Sequence, residues 1–232
     1  MSSFFLKIFA LFFMIFDHIG FVLFPDQIIF RLLGRLSFPL FAYQMAVGFS
    51  HTKNKKNHII KLLIFAIFCQ IPFSLATHLY STTNSLNIIF TFVIALLIIY
   101  TLENFPFLHY DSNLKKYNFT TKNFLISLLI SGLLLFIGIL VKTDYEWYGI
   151  LLTVSFYFTL KKKILSLILF FLLVNLNFII NKTVFSLLSY VSLFDCIFIL
   201  LFNGKKGYKS STLFYILYFI HLFPILLIKS IL

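Results

Sequence analysis

MIFDHIGFVLFPDQIIFRLLGRLSFPLFAYQMAVGF, residues 14–49, decides the fold. Two apolar runs flank Phe24-Pro25-Asp26-Gln27, and Asp17, His18, Arg31 and Arg35 stand inside them. The runs read as an antiparallel helical hairpin. With a rise of about 1.5 Å per residue, His18 lies roughly 9 Å below the Phe24 end and Arg35 roughly 10 Å below the Ile28 end. The four polar side chains therefore reach one depth. A charged group at membrane depth costs several kcal/mol unless it is paired or hydrated, so this quartet is the first candidate for chemistry.

Composition gives the class. Of 232 residues, 61% are hydrophobic and 11% charged, and the mean hydropathy is +1.01. That is far from a soluble domain and predicts a polytopic, all-α transmembrane bundle. The net charge of +12 does not point to nucleic acid, because the lysines fall in short breaks between apolar runs rather than in a basic patch. Cys69 and Cys196 are isolated, with no spacing that suits a disulfide framework or a metal, so neither is expected. The opening MSSFFLKIFALFFMIF lacks an Ala-x-Ala-like cleavage site and is expected to stay as the first helix.

Apolar segments of spanning length occur at about 4–24, 28–50, 58–80, 87–104, 122–141, 146–161, 163–181, 184–202 and 212–231, predicting about nine helices in a single domain, 1–232. Four breaks are lysine-rich: Lys53, Lys55 and Lys56; Lys115, Lys116 and Lys122; Lys161, Lys162 and Lys163; Lys205, Lys206 and Lys209. They alternate with lysine-poor breaks at 81–86, 142–147 and 181–183. Positive charge stays inside, so the N-terminus is predicted on the cytoplasmic side of the membrane. The longest break, 102–122, reads as a loop or interfacial helix.

Arg31 and Arg35, four apart, share a helix face. Asp17 and His18 are adjacent, hence about 100° apart; Arg35 is the expected partner of Asp17. An ion pair locking the hairpin and a catalytic role both remain open. His18, a neutral imidazole near two arginines, is placed for proton transfer. Pro39 is expected to bend the second helix near Arg35, and Gly34 to allow close approach of another backbone. Gln44 and Gln70 read as interhelical amides, and Asn87 as a donor to a substrate carbonyl. Asp144 and Glu146, beside Trp147 and Tyr148, form either a rim attracting an amine or a solvated turn. Asp195, Tyr218 and His221 are expected together, as a proton relay or as a clasp between the last two helices.

KIFALFFMIFDHIG (7–20), RLLGRLSFPLF (31–41), GFSHTKNKKN (48–57), QIPF (70–73), NIIFT (87–91), DYEWYG (144–149) and 204–222, ending YILYFIHL, resemble the TraX family over nearly the whole chain. Its best-known members acetylate the amino terminus of conjugal pilin, and the family is distantly similar to membrane acyltransferases that use an intramembrane histidine. The resemblance implies acetyl-CoA as donor and an exported protein, peptide or cell-surface acceptor. His18 is then the base, with Asp17, Arg31 and Arg35 beside it, and Asn87, Asp144, Tyr148, Asp195, Tyr218 and His221 as the substrate-facing set. The chain departs from the family pattern at Glu146, where Gly is common, and at Gln70, where an acid is common. A proton-coupled transporter and a non-catalytic membrane assembly factor are the alternative functions; the lack of an evident internal repeat weighs against the first.

Overall fold

The hairpin of 14–49 forms, but its second arm is two helices. The computed structural model describes residues 1–80, 85–106, 108–111, 116–208 and 211–231. After α1 (Ser3–Val22), the chain turns and runs as α2 (Ile28–Gly34) and α3 (Ser37–Ser50). Pro39 has no amide to bond the carbonyl four residues back, that of Arg35, so the helix stops and restarts there instead of merely bending. The ninth segment breaks in the same way. α11 (Ser211–Ile220) gives way to α12 (Leu222–Ile231) at His221, where the same deficit arises, since Pro224 has no amide to bond the carbonyl of Ile220 four residues back.

Between them run α4 (Lys55–Tyr80), α5 (Ile88–Asn104), α6 (Thr121–Leu140), α7 (Glu146–Thr159) and α8 (Lys163–Asn181), then α9 (Val184–Leu188), a 3-10 turn (Ser189–Phe194) and α10 (Asp195–Leu201). The described residues thus hold nine helical segments, with the second, eighth and ninth broken. Five stretches, 3–22, 55–77, 121–140, 163–181 and 212–231, are long and apolar enough to cross a membrane. The molecule is an integral membrane protein. The break at 102–122 corrects the expectation of a loop or helix: β1 (Leu108–Asp111) and β2 (Lys116–Phe119) pair antiparallel, Leu108 opposite Phe119 and Asp111 opposite Lys116. Lys115, Lys209 and the start of the 81–86 break lie outside the described residues.

α3, α5 and α7 pack on one another at the centre, with α8 against α7, α4 against α5 and α1 across α2 and α3. Leu40, Ala42, Ala46, Ile99, Leu152 and Phe156 are wholly buried there. α6 shows why the outer helices read as uninterrupted apolar runs. It buries only Ser127 and Gly138, while Leu125, Leu129, Leu133 and Phe136 are exposed. Small residues make its helix contact and large ones face lipid.

The breaks sort by end. Ser50, His51, Glu103, Lys161, Lys162 and Asn203 line one groove, and the N-terminal ammonium donates to the Leu201 carbonyl at the same end, 2.6 Å away. Ser85, Lys142, Glu146, Asn181 and Thr183 line a vestibule at the other. The N-terminus therefore lies with the lysine-bearing breaks.

Candidate active site

Close approach between α1 and α2 seats the carboxylate. Gly34 has no Cβ, and one added there would collide with the Asp17 side chain. Asp17 lies over this gap with Arg31 Nη1 2.9 Å from Oδ2 and Arg35 Nη2 3.8 Å from Oδ1. Arg31, rather than the expected Arg35, is thus the closer partner, and it also donates to the Asp17 carbonyl at 3.4 Å. Arg35, still helical at the end of α2, faces Asp17 beside Arg31, and its Nη1 also donates to the Tyr145 hydroxyl, 3.1 Å away. What close approach at Gly34 admits is a side chain, not a backbone.

The break at His221 creates the other half. His221 Nε2 lies 3.0 Å from His18 Nδ1, and His221 Nδ1 lies 2.6 Å from the Tyr218 carbonyl oxygen. The tautomers follow from this network rather than from visible hydrogens. A carbonyl only accepts, so His221 Nδ1 carries a proton. With that ring neutral, Nε2 is bare and accepts from His18 Nδ1–H. Neutral His18 then keeps its own Nε2 bare, the atom a general base needs. The expected cluster of Asp195, Tyr218 and His221 is corrected in its membership: Tyr218 and His221 join His18, and Asp195 does not.

A strained loop closes the far side. Lys142, Tyr145 and Glu146 have φ of 50, 61 and 40°, three of the four left-handed non-glycine residues among those described. Such backbone costs of order 1–3 kcal/mol per residue and persists where its surroundings enforce it. Here Leu86 N donates to the Lys142 carbonyl at 3.1 Å, Asp144 N donates to the Leu86 carbonyl at 2.9 Å, and the Thr91 hydroxyl donates to the Asp144 carbonyl. The result stacks Tyr145 on Phe38, centroids 4.0 Å apart and planes 14° apart, and holds Asp144 half-buried. Burial pushes the Asp144 carboxyl up to about 6, with the nearby Arg35 opposing the rise.

These groups line one small pocket of about 50 Å³, room for a few waters: Asp17, His18, Asp144, Tyr145, Tyr218 and His221. It adjoins two larger spaces. Asp144 and Tyr145 are shared with the polar vestibule, about 590 Å³. Phe41 and Tyr218 are shared with an apolar groove, about 250 Å³, on the side of the lysine-bearing breaks. The histidine pair sits between them. Among the described residues no three His, Cys, Asp or Glu side chains converge as a metal-ligand group.

A family model described as TraX protein matches residues 2–229. The chain belongs to the TraX family. No curated protein and no solved structure matches it. In this TraX chain the two departures from the family pattern acquire physical content. Glu146 occupies left-handed backbone, which glycine adopts without strain. Gln70 accepts from Asn87 N and Nδ2, both at 2.9 Å, and donates to the Ser85 carbonyl at 3.1 Å; an acid could accept but not donate. The amide thus braces the turn leading into α5.

Three sequence-derived site residues lie apart from the pocket. Asn87 is 1% exposed and fully used: it donates to the Ala66 carbonyl and Gln70, and caps α5 by accepting from Ile89 N at 3.0 Å. It has no donor left for a substrate, which corrects that reading. Tyr148 lines the vestibule with its ring buried, close to Asp195 and Ser192. Asp195 is wholly buried, and neither carboxylate oxygen has a hydrogen-bond partner among the described residues. Its helix packs on α3 and α8, whereas α11 and α12 pack on α1 and α4, so the expected clasp does not form. Sequence reasoning missed Tyr145, which borders both the histidine pocket and the vestibule; its signal was an aromatic between two acids next to a position where the family favours glycine.

Proposed function

We propose that this TraX protein is an acetyltransferase of the bacterial cytoplasmic membrane, N-terminus inside, that moves acetyl from cytoplasmic acetyl-CoA to a nucleophile presented from outside. The acceptor class that fits best is the terminal amine of an exported, pilin-like protein or peptide. The observation that carries the reading is the His18–His221 pair in a pocket adjoining a separate space on each side. Asp144 and Glu146 at the vestibule attract a cationic amine. A terminal amine has pKa about 7.7–8.0, so a fraction is neutral near pH 7, and attack by that neutral form leaves one proton on nitrogen for a base to take.

In the proposed reaction the amine nitrogen attacks the thioester carbonyl carbon. The C–N bond forms, the C–S bond breaks, His18 Nε2 takes the amine proton and returns it to the departing thiolate. His221 accepts from His18 Nδ1–H throughout, which orients the ring and stabilises its cationic form. Arg31 and Arg35, with Asp17 between them, set the positive field in which the carbonyl oxygen gains charge. The acceptor leaves acetylated and coenzyme A leaves with a free thiol.

The test is acetyl-CoA consumption by purified protein with a candidate peptide amine, read by mass spectrometry of the product. His18→Ala is expected to lower the rate about 10²- to 10⁴-fold while coenzyme A still stabilises the protein against heat. His221→Ala should lower the rate less, because it removes orientation but not the base. A His18→Ala protein within about tenfold of the parent rate would remove His18 from this role. Buried, unpartnered Asp195 favours a second reading, a proton-coupled transporter. That reading requires no acetyl-CoA consumption.

A further inference from the structure

The apolar groove beside the histidine pocket has an assignable occupant. Its floor continues the pocket along the same helix faces: Lys7 and Leu11 on α1 lead to Met14 and His18, and His58, Leu62 and Phe65 on α4 lead to Cys69. From Lys7 to His18 this is about 16 Å of helix at about 1.5 Å per residue. The walls are apolar, yet two polar atoms in them are stranded. Gln44 is 4% exposed; its Oε1 accepts from the Ser3 hydroxyl, but its Nε2 has no partner among the described residues. His58 Nε2 is also buried without one. Buried polar groups are nearly always satisfied, and an exception calls for an explanation. Cations collect at the far end, where Lys206 neighbours Lys7 and Lys61 neighbours His58.

An apolar slot with an unsatisfied amide donor midway, cations at one end and a base at the other fits a linear arm that carries amide carbonyls, an anionic head and a reactive tip. Resting on the acetyl-transfer reading above, we infer that this groove seats the pantetheine arm of the donor. One arm carbonyl accepts from Gln44 Nε2, the phosphates meet Lys7, Lys61 and Lys206, and the thioester arrives at His18 past Phe41 and Tyr218.

Gly48 offers a way to block the groove. It lines the slot, and an added Cβ would meet nothing within 4 Å, so Gly48→Trp can fill the slot without displacing the core. The full chain in nanodiscs is titrated with coenzyme A by calorimetry, beside Gly48→Trp, Gln44→Leu and His18→Ala. Expected is a loss of coenzyme A affinity of at least about tenfold for Gly48→Trp and of about 2- to 10-fold for Gln44→Leu, the range of one hydrogen bond, with His18→Ala binding as the parent does. If the parent binds and both groove variants bind equally well, the groove is not the arm site, although acetyl transfer stands. If the parent neither binds coenzyme A nor consumes acetyl-CoA, the donor reading falls and the groove assignment falls with it.

Discussion

Replacing Gly34 by alanine adds one methyl, and the structure places that methyl on the Asp17 side chain. Asp17 must swing off α2 or the two helices must part. Overpacking of this kind costs about 1–3 kcal/mol. Moving Asp17 also loosens its 2.9 Å pair with Arg31, whose side chains are 22% and 19% exposed. Breaking a fully buried pair costs about 3–5 kcal/mol, and partial exposure reduces that, so the whole effect is about 2–4 kcal/mol. At about 2–4 °C per kcal/mol for a chain of this size, the melting midpoint falls by roughly 4–16 °C. Gly48→Ala is the internal control. Its Cβ meets nothing, so alanine's better helix propensity should stabilise by about 0.5–1 kcal/mol. Scanning fluorimetry of monodisperse, detergent-solubilised protein compares the two. Adding Asp17→Ala to Gly34→Ala removes the object of the collision and should make the costs non-additive. A Gly34→Ala protein that melts with the parent would refute the seating of Asp17 over this gap, and with it the positioning of both arginines.

Asp144 predicts a pH dependence. Its folded-state pKa is raised from 3.8 to about 6, so the protonated form is the one the fold favours: the contribution is complete below about pH 4 and lost as pH rises through about 6. Relative to Asp144→Asn, the parent's melting midpoint should fall across that window, and parallel curves would contradict the burial of this carboxyl. Single cysteines at Lys142 and Lys161, both exposed, in a background lacking Cys69 and Cys196, should react with an impermeant maleimide from opposite faces. Labelling of both from one face would overturn the nine-segment topology.

How much of this was legible beforehand follows from which signals are local. The broken second and ninth segments were written in Pro39 and Pro224, because a missing amide is a property of one residue. Reading 28–50 as one helix undervalued it. The strand pair in 102–122 was less legible, since each strand is only four residues long and finds its partner in the other rather than in any periodicity of its own. Arg31 and Arg35 sharing a face was legible as a four-residue spacing, and both guanidiniums do approach Asp17; that Arg35 also reaches Tyr145, 110 residues further on, was not. Asn87 was misread because a capping amide and a substrate-binding amide are the same residue type; only the positions of Ala66, Gln70 and Ile89 tell them apart.

By itself the sequence determined that the chain is a bundle of nine apolar segments, that Asp17, His18, Arg31 and Arg35 stand inside the first two of them, and that lysine-bearing breaks alternate with lysine-poor ones. Those features depend on composition, periodicity and the solvation cost of charge, all of which act along the chain. Tertiary structure alone decided which histidine meets His18. His18 and His221 stand 203 residues apart, and nothing local prefers that pairing over one with Asp195. It arises because the helix breaks at His221, three residues before Pro224, and α12 restarts at Leu222 packed on α1 and α4, which leaves His221 out of the helix facing the ring on α1.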